Sequence, residues 1–382
     1  MTIRIVGSAV TKFGELWGVS PRSLAGEVFS GALKDSGLEK KEIEAVFVGN
    51  MLSGILAGQE HLGSFFAEEM GIANVPAFHI EAACASGGLA MHMAVNAVLS
   101  GRYKTVVVLG IEKMTDYKPE IVSTALMAAG SDEERSVGIT FPGLYAIMAR
   151  EYIRKYGISE KELASVTVKN HYHASLNPKA QFQNTLTLET VIKSPLVSDP
   201  LRLLECSPVS DGAAAVIVSS LSSKRGIEVL ASEVATDSLG LAQRSSLTEM
   251  KATQISSGRA FEAAGLKPKD IDVAEVHDCF SIAEILALED LGFFEKGKAG
   301  SAILKGDLTL GSSKHLVVNT SGGLKGAGHP VGATGVKQIV EIVDQLRGRA
   351  EKRQVHGAKI GLTQNVGGSG ATAVVHIFKK ND

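Results

Sequence analysis

Cys84-Ala85-Ser86-Gly87-Gly88-Leu89 returns in the second half of the chain as Asn319-Thr320-Ser321-Gly322-Gly323-Leu324. Each copy opens a helix-compatible stretch, and an apolar strand-like run follows: Thr105–Leu109 after the first, Lys359–Leu362 after the second. The echo extends upstream. Gly37, Leu38, Lys41, Ile43 and Val48 match Gly265, Leu266, Lys269, Ile271 and Val276 at one constant offset. In both places a helix closes on a glycine, which takes up the left-handed conformation at little cost. A charged turn and a short strand come next (Ala45–Val48; Val273–Val276). A repeat of ~150 residues is too long for a solenoid unit. It implies two homologous α/β halves in which strands alternate with helices.

The first copy carries a candidate for chemistry. An apolar lead-in, Val75 to Ile80, runs into Glu81-Ala82-Ala83-Cys84 and then into a helix over Ser86–Ser100. A thiol at that turn faces unpaired N–H groups and the positive end of the helix dipole, which favour the thiolate. Ala85, Ser86, Gly87 and Gly88 leave room for a substrate to reach the sulfur. The helix is polar only at His92 and Asn96, so burial between layers is expected. On this stretch alone a packed, inert cysteine fits equally well.

Composition narrows the classes. The chain has 382 residues, 45% apolar and 21% charged, enough for a large core. A net charge of −2 and the lack of a basic run give no reason to expect nucleic acid or a membrane surface as partner. Three widely spaced cysteines, Cys84, Cys206 and Cys279, argue against a disulfide framework or a metal cluster and for a reducing compartment. A strand begins at once at Ile3 and no apolar run nears ~20 residues, so a cytoplasmic protein is expected.

Between the halves, over about residues 116–210, helical segments (Leu144–Tyr156, Glu160–Ala174) alternate with polar loops such as Asn177–Asn184. This reads as an inserted loop domain of the kind that covers an active site. The expected division is residues 1–225 for the first half, insert included, and 226–382 for the second.

Three further stretches stand out. Glu275-Val276-His277-Asp278-Cys279-Phe280 follows a strand and opens a helix over Ser281–Leu291. Gly328-His329-Pro330 lies within a glycine-rich run ending Thr334-Gly335. Asn365-Val366-Gly367-Gly368-Ser369-Gly370 is a tight turn between two apolar strands. With the Cys84 stretch and Gly110-Ile111-Glu112-Lys113-Met114, these make the whole chain resemble a thiolase. The His-Asp-Cys-Phe arrangement is similar to archaeal and sterol-carrier-protein-linked thiolases.

The resemblance implies an α/β thiolase fold: duplicated halves in five αβαβα layers with an inserted loop domain. It implies an acyltransferase, an acetyl-CoA C-acetyltransferase that forms or cleaves acetoacetyl-CoA through a cysteine acyl-enzyme and Claisen condensation. Acetyl-CoA, acetoacetyl-CoA and CoA are then substrates, with no separate cofactor and no metal. Cys84 corresponds to the nucleophile. His329 corresponds to the histidine that polarises it and helps hold a thioester oxygen. Cys279 corresponds to the acid/base, and His277 stands where many thiolases have an asparagine that orients an oxyanion-hole water. The backbone N–H groups of Cys84 and Gly367 form the second hole. Many relatives carry a second cysteine where this chain has Asn365, whose carboxamide has no useful basicity. Cys206 is expected to be structural. Tyr145 and Met148 are expected to limit the acyl pocket. The family also implies a homodimer or homotetramer, and its archaeal members a partnership with a hydroxymethylglutaryl-CoA synthase and an OB-fold scaffold protein. Two rival readings are a degradative 3-ketoacyl-CoA thiolase for longer chains and a catalytically weak scaffold subunit.

Overall fold

A computed structural model describes residues 2–223 and 225–381. Met1, Lys224 and Asp382, which the expected domain limits include, lie outside the described residues. The first half runs β1 (Arg4–Val10), α1 (Pro21–Ser36), β2 (Ala45–Gly49), α2 (Ser53–Ala57), α3 (Leu62–Glu69), β3 (Ala77–Ile80), α4 (Ser86–Leu99) and β4 (Thr105–Glu112). The insert holds α5 (Pro119–Leu126), α6 (Asp132–Ser136), α7 (Phe141–Tyr156), α8 (Glu160–Ser175) and α9 (Leu188–Ile192), with a small hairpin of β5 (Leu196–Ser198) and β6 (Leu201–Arg202). β7 (Gly212–Ser219) then returns to the first half. The second half runs β8 (Ile227–Thr236), α10 (Lys251–Ala264), β9 (Val273–Glu275), α11 (Ser281–Asp290), α12 (Ala299–Leu304), β10 (Val317–Val318), α13 (Gly323–Ala327), α14 (Val331–Leu346), β11 (Ile360–Gly367) and β12 (Thr372–Lys379).

The strand order is β10-β9-β11-β12-β8-β1-β7-β4-β2-β3. Read inward from either end it is the same pattern, with β8 and β1 meeting antiparallel at the centre (Arg4 opposite Glu228, Ile5 opposite Ile227). In each half the three middle strands in chain order pair parallel, while the first and last strands pair antiparallel. The duplication read from the sequence is therefore a duplication of topology.

Three apolar clusters define the layers. α1 and α3 cover one face of the first half's strands through Leu24, Val28, Phe29, Leu62 and Phe66. α10 and α11 cover the outer face of the second half's strands. Between the two sets of strands lie α4 and α14, joined by Met91, Val95, Val98, Ile339, Val343 and Leu346. The five layers are thus helix, sheet, helix, sheet, helix. The α1 ends obey local rules: Ser20 accepts from the Ser23 N–H at the start, and Gly37 closes the last turn at φ +72°.

The helix after Cys84 lies in the middle layer as expected, with less complete burial than its partner α14. α4 keeps one open edge at Met93, Asn96 and Leu99. α14 is buried along nearly its whole length despite Lys337, Gln338, Glu341 and Gln345. Those groups are matched internally: Lys337 with Glu275 at 3.4 Å, Glu341 with Arg353 at 3.0 Å, and the Gln345 amide donating to the Arg353 carbonyl. A buried polar group is tolerated when it is hydrogen-bonded.

Glycines set the spacing at one decisive place. A Cβ on Gly335 would stand 2.3 Å from the Gly88 nitrogen, and one on Gly87 2.7 Å from the Gly332 oxygen. The first turns of α4 and α14 touch there, and this contact brings Cys84 and His329 together.

Candidate active site

Cys84 sits where β3 hands over to α4. Its predecessor Ala83 takes φ +51°, a left-handed conformation that costs a non-glycine residue about 1–2 kcal/mol. Ser86 holds the turn: its hydroxyl donates to the Ala83 carbonyl at 2.6 Å and accepts from the Ala82 N–H at 2.9 Å. The sulfur is nearly buried. Cys84 Sγ, a ring nitrogen of His277 and one of His329 lie within 4.8 Å of one another. The two imidazoles meet edge to face at 5.1 Å.

Hydrogen bonds fix what each ring can do. Asn365 Oδ1 accepts from the Gly88 N–H at 3.1 Å, so its amide orientation is settled. The Asn365 NH2 then donates to the Cys84 carbonyl at 3.0 Å and to His277 Nδ1 at 3.2 Å. His277 must carry its proton on Nε2, and that buried N–H has no partner among the described residues. His277 clusters with Cys84 and His329 but is not among the residues that line the cavity beside them. Asn365, read from sequence only as a missing cysteine, is the residue that sets this tautomer.

His329 is held differently. Its Nδ1 lies 2.8 Å from Thr334 Oγ1, which is also 3.0 Å from the Pro330 carbonyl. When the Thr334 hydroxyl donates to Pro330, Nδ1–H donates to Thr334 and Nε2 is bare. When the hydroxyl turns to Nδ1, Nε2 carries the proton. The ring can therefore accept a proton or donate a hydrogen bond without losing its anchor. Thr334→Val should lower kcat roughly tenfold, about 1.4 kcal/mol, with little change in KM. Steady-state kinetics check this.

The electrostatics correct one expectation. Burial pushes the Cys84 thiol well up, the neighbouring Cys279 adds to it, and the Gly368 N–H only partly opposes it. Desolvation is the largest influence on this sulfur, so the resting form is the thiol. Burial also lowers His329 to about 3, helped by Lys337, and His277 well below its ordinary range. A histidine so depressed stays a neutral acceptor as pH falls, and loses that role only near its own low value. Acylation in a single turnover should thus be flat between about pH 5.5 and 8. A tenfold loss on the acid side, with a midpoint near 6.5, would contradict this.

Cys279, buried at the start of α11, shares a cavity of about 200 Å³ with Cys84 and His329. Its walls are mostly apolar, with Met114, Val122, Leu126, Phe141 and Tyr145 among them. The Tyr145 ring stacks on Phe280 at 4.6 Å, and its hydroxyl donates to the Gly368 carbonyl at 3.0 Å. Met148 is not in the cavity. One turn along α7 from Tyr145, it packs in the core of the insert instead. Cys206, expected to be only structural, lines the cavity. Gly367, expected in the backbone hole, is the last rung of β11, opposite Thr372, and packs on the Ala82 carbonyl. Its neighbour Gly368 lines the cavity beside Cys84. Asp278, a rival for acid/base work, is fully engaged: it accepts from Asn170 at 2.7 Å and from the Leu324 N–H at 2.6 Å.

Two family models match the chain: "Thiolase, N-terminal domain" over residues 3–222 and "Thiolase C-terminal domain-like" over residues 233–380. The chain belongs to the thiolase family. It is 48% identical over 385 residues to an acetyl-CoA acetyltransferase of Methanothermobacter thermautotrophicus, covering 99% of each chain. It is 35% identical over 400 residues to sterol carrier protein 2 of Rattus norvegicus, covering 98% of this thiolase and 71% of that protein. Among solved structures, "Ltp2-ChsH2(DUF35) aldolase" superposes with a TM-score of 0.83 over 98% of this chain and 97% of that one, at 24% identity, a likeness of fold. The expected fold, enzyme class and family are borne out. Among the described residues, no helix is long and apolar enough to cross a membrane.

Proposed function

We propose that this thiolase is an acetyl-CoA C-acetyltransferase, joining two acetyl-CoA molecules into acetoacetyl-CoA or cleaving the product with CoA. The observation that carries the reading is the small, mostly apolar cavity lined by Cys84, Cys279 and His329. At about 200 Å³ it lies below the roughly 300–1,000 Å³ usual for drug-sized ligands, and it suits a short acyl group. The name of the Methanothermobacter relative supports the same substrate.

In the proposed cycle the Cys84 sulfur attacks the thioester carbonyl while its proton passes to bare His329 Nε2. The Cys84 and Gly367 N–H groups hold the developing oxyanion, and CoA leaves with the proton from His329. A second acetyl-CoA then loses an α-proton to the Cys279 thiolate. Its enolate oxygen is held by the His277 Nε2–H, and by His329 once that ring has given its Nδ1 proton to solvent and taken one from solvent on Nε2, the Thr334 hydroxyl then donating to Nδ1. Attack of the enolate carbon on the Cys84 thioester expels the Cys84 thiolate, which takes up the proton that Cys279 received, and acetoacetyl-CoA leaves with the Cys84 thiol and Cys279 thiolate restored.

Thiolysis of acetoacetyl-CoA and of a longer 3-ketoacyl-CoA tests the reading. At least tenfold higher kcat/KM on acetoacetyl-CoA is expected. The reverse order identifies a degradative thiolase, and no turnover of either by folded protein identifies a scaffold subunit. A homo-oligomer in the cytoplasm, working beside a hydroxymethylglutaryl-CoA synthase and an OB-fold protein, remains part of the proposal. The two components joined in the name of the structural neighbour support a thiolase that works in an assembly.

A further inference from the structure

Cys84, His277 and His329 stand side by side, and the same trio is a donor set for a soft divalent metal. Zinc favours thiolate and imidazole, and a site with three protein ligands keeps a fourth position for water. Here one atom from each residue lies within 4.8 Å of the other two, and all three residues are buried. Ligands of one tetrahedral zinc stand roughly 3.3–3.6 Å apart, so shifts of up to about 1.5 Å close the trio on a metal. The cavity lined by Cys84 and His329 gives the fourth position room. Metal held there would block the sulfur.

The hydrogen bonds around His277 oppose this. A neutral imidazole has one lone pair to give a metal. The His277 lone pair is on Nδ1, where it accepts from the Asn365 NH2 at 3.2 Å, and the proton is on Nε2. Whichever nitrogen faces the sulfur, neither has a free pair. Reversing the tautomer sets Nδ1–H against the Asn365 NH2, donor against donor. Asn365 is not free to turn over. Its Oδ1 accepts from the Gly88 N–H at 3.1 Å, and its NH2 also donates to the Cys84 carbonyl at 3.0 Å. His277 and Asn365 are both buried, where a donor left without an acceptor is costly. His329 has no such restraint, because its Nδ1 partner at 2.8 Å is the Thr334 hydroxyl, which can accept or donate.

We propose that Asn365 keeps a latent zinc site closed: by fixing the His277 tautomer it leaves Cys84 and His329 as two free ligands of the three. When the site opens, the His277 proton moves from Nε2 to Nδ1. The Cys84 S–H bond breaks and its proton goes to solvent. Zinc then takes the sulfur and two imidazole lone pairs, with no change of oxidation state. An aspartate at position 365 favours that form, since a carboxylate accepts from Nδ1–H as it does behind many metal-bound histidines. An alanine there removes the restraint and adds no charge.

The test measures zinc affinity of the full chain by competition with a chromophoric chelator, for native protein, Asn365→Asp and Asn365→Ala. Thermal melting confirms that each is folded. Asn365→Asp should bind zinc at least about tenfold tighter than native, the usual scale for a residue behind a metal-bound histidine. Asn365→Ala should move the same way. Cobalt in place of zinc should give a thiolate-to-metal charge-transfer band in the variants and none in native protein at one equivalent. The proposal is overturned if neither variant reaches the tenfold gain, or if the gain survives an added Cys84→Ala. A cobalt–thiolate band in native protein overturns it whatever the variants do, and so decides the matter even where they fail to fold.

Discussion

Cys84→Ala protein is expected to fold like the native chain and to lose at least roughly 10⁴-fold in kcat, for condensation and thiolysis alike. The loss of fold stability should be small, on the order of 1 kcal/mol, because one buried sulfur is removed from a turn held mainly by other contacts. Ser86 and Asn365 fix that turn through backbone groups, and neither bond uses the thiol. His329 and His277 remain in place but have no sulfur to act on. Thermal melting checks the fold and a coupled thiolysis assay checks the rate. Residual turnover within tenfold of native would mean that Cys84 is the inert packed thiol that its stretch alone also allowed.

The second large effect is expected at Cys279. Cys279→Ser should still transfer acetyl from acetyl-CoA to Cys84 at a rate near native, yet lose about 10³-fold or more in condensation. A serine hydroxyl is too weak an acid to furnish the base near neutral pH. Asp278 cannot replace it, since its carboxylate is tied to Asn170 and the start of α13. Exchange of the acetyl-CoA methyl protons with deuterated solvent should vanish in the variant. Exchange at the native rate would move the α-proton transfer to one of the two histidines.

The sequence carried the large features because each leaves a local mark. Glycines at helix ends, short apolar strands and small residues around Cys84 repeat in register, and the repeat became the mirrored strand order. Cys84, His277, Cys279 and His329 were legible because each lies in a turn directly after a strand or before a helix, where a fold presents side chains to a ligand. What escaped has a common physical cause: it depends on partners far apart in the chain. Lys337, Glu341 and Gln345 were not singled out at all, yet Glu275 and Arg353 pair with the first two inside the molecule. Asn365 reads as a lost cysteine, yet its amide joins Gly88, Cys84 and His277. Met148 was misplaced on a helix, where three positions from Tyr145 were enough to leave the cavity wall.

The account stands on one covalent bond. Native protein incubated with acetyl-CoA, stopped in acid and digested, should show one acetyl group on the peptide carrying Cys84. Peptides carrying Cys206 and Cys279 should stay unmodified. An acetyl group on Cys206 or Cys279 with Cys84 free would contradict the account at its centre.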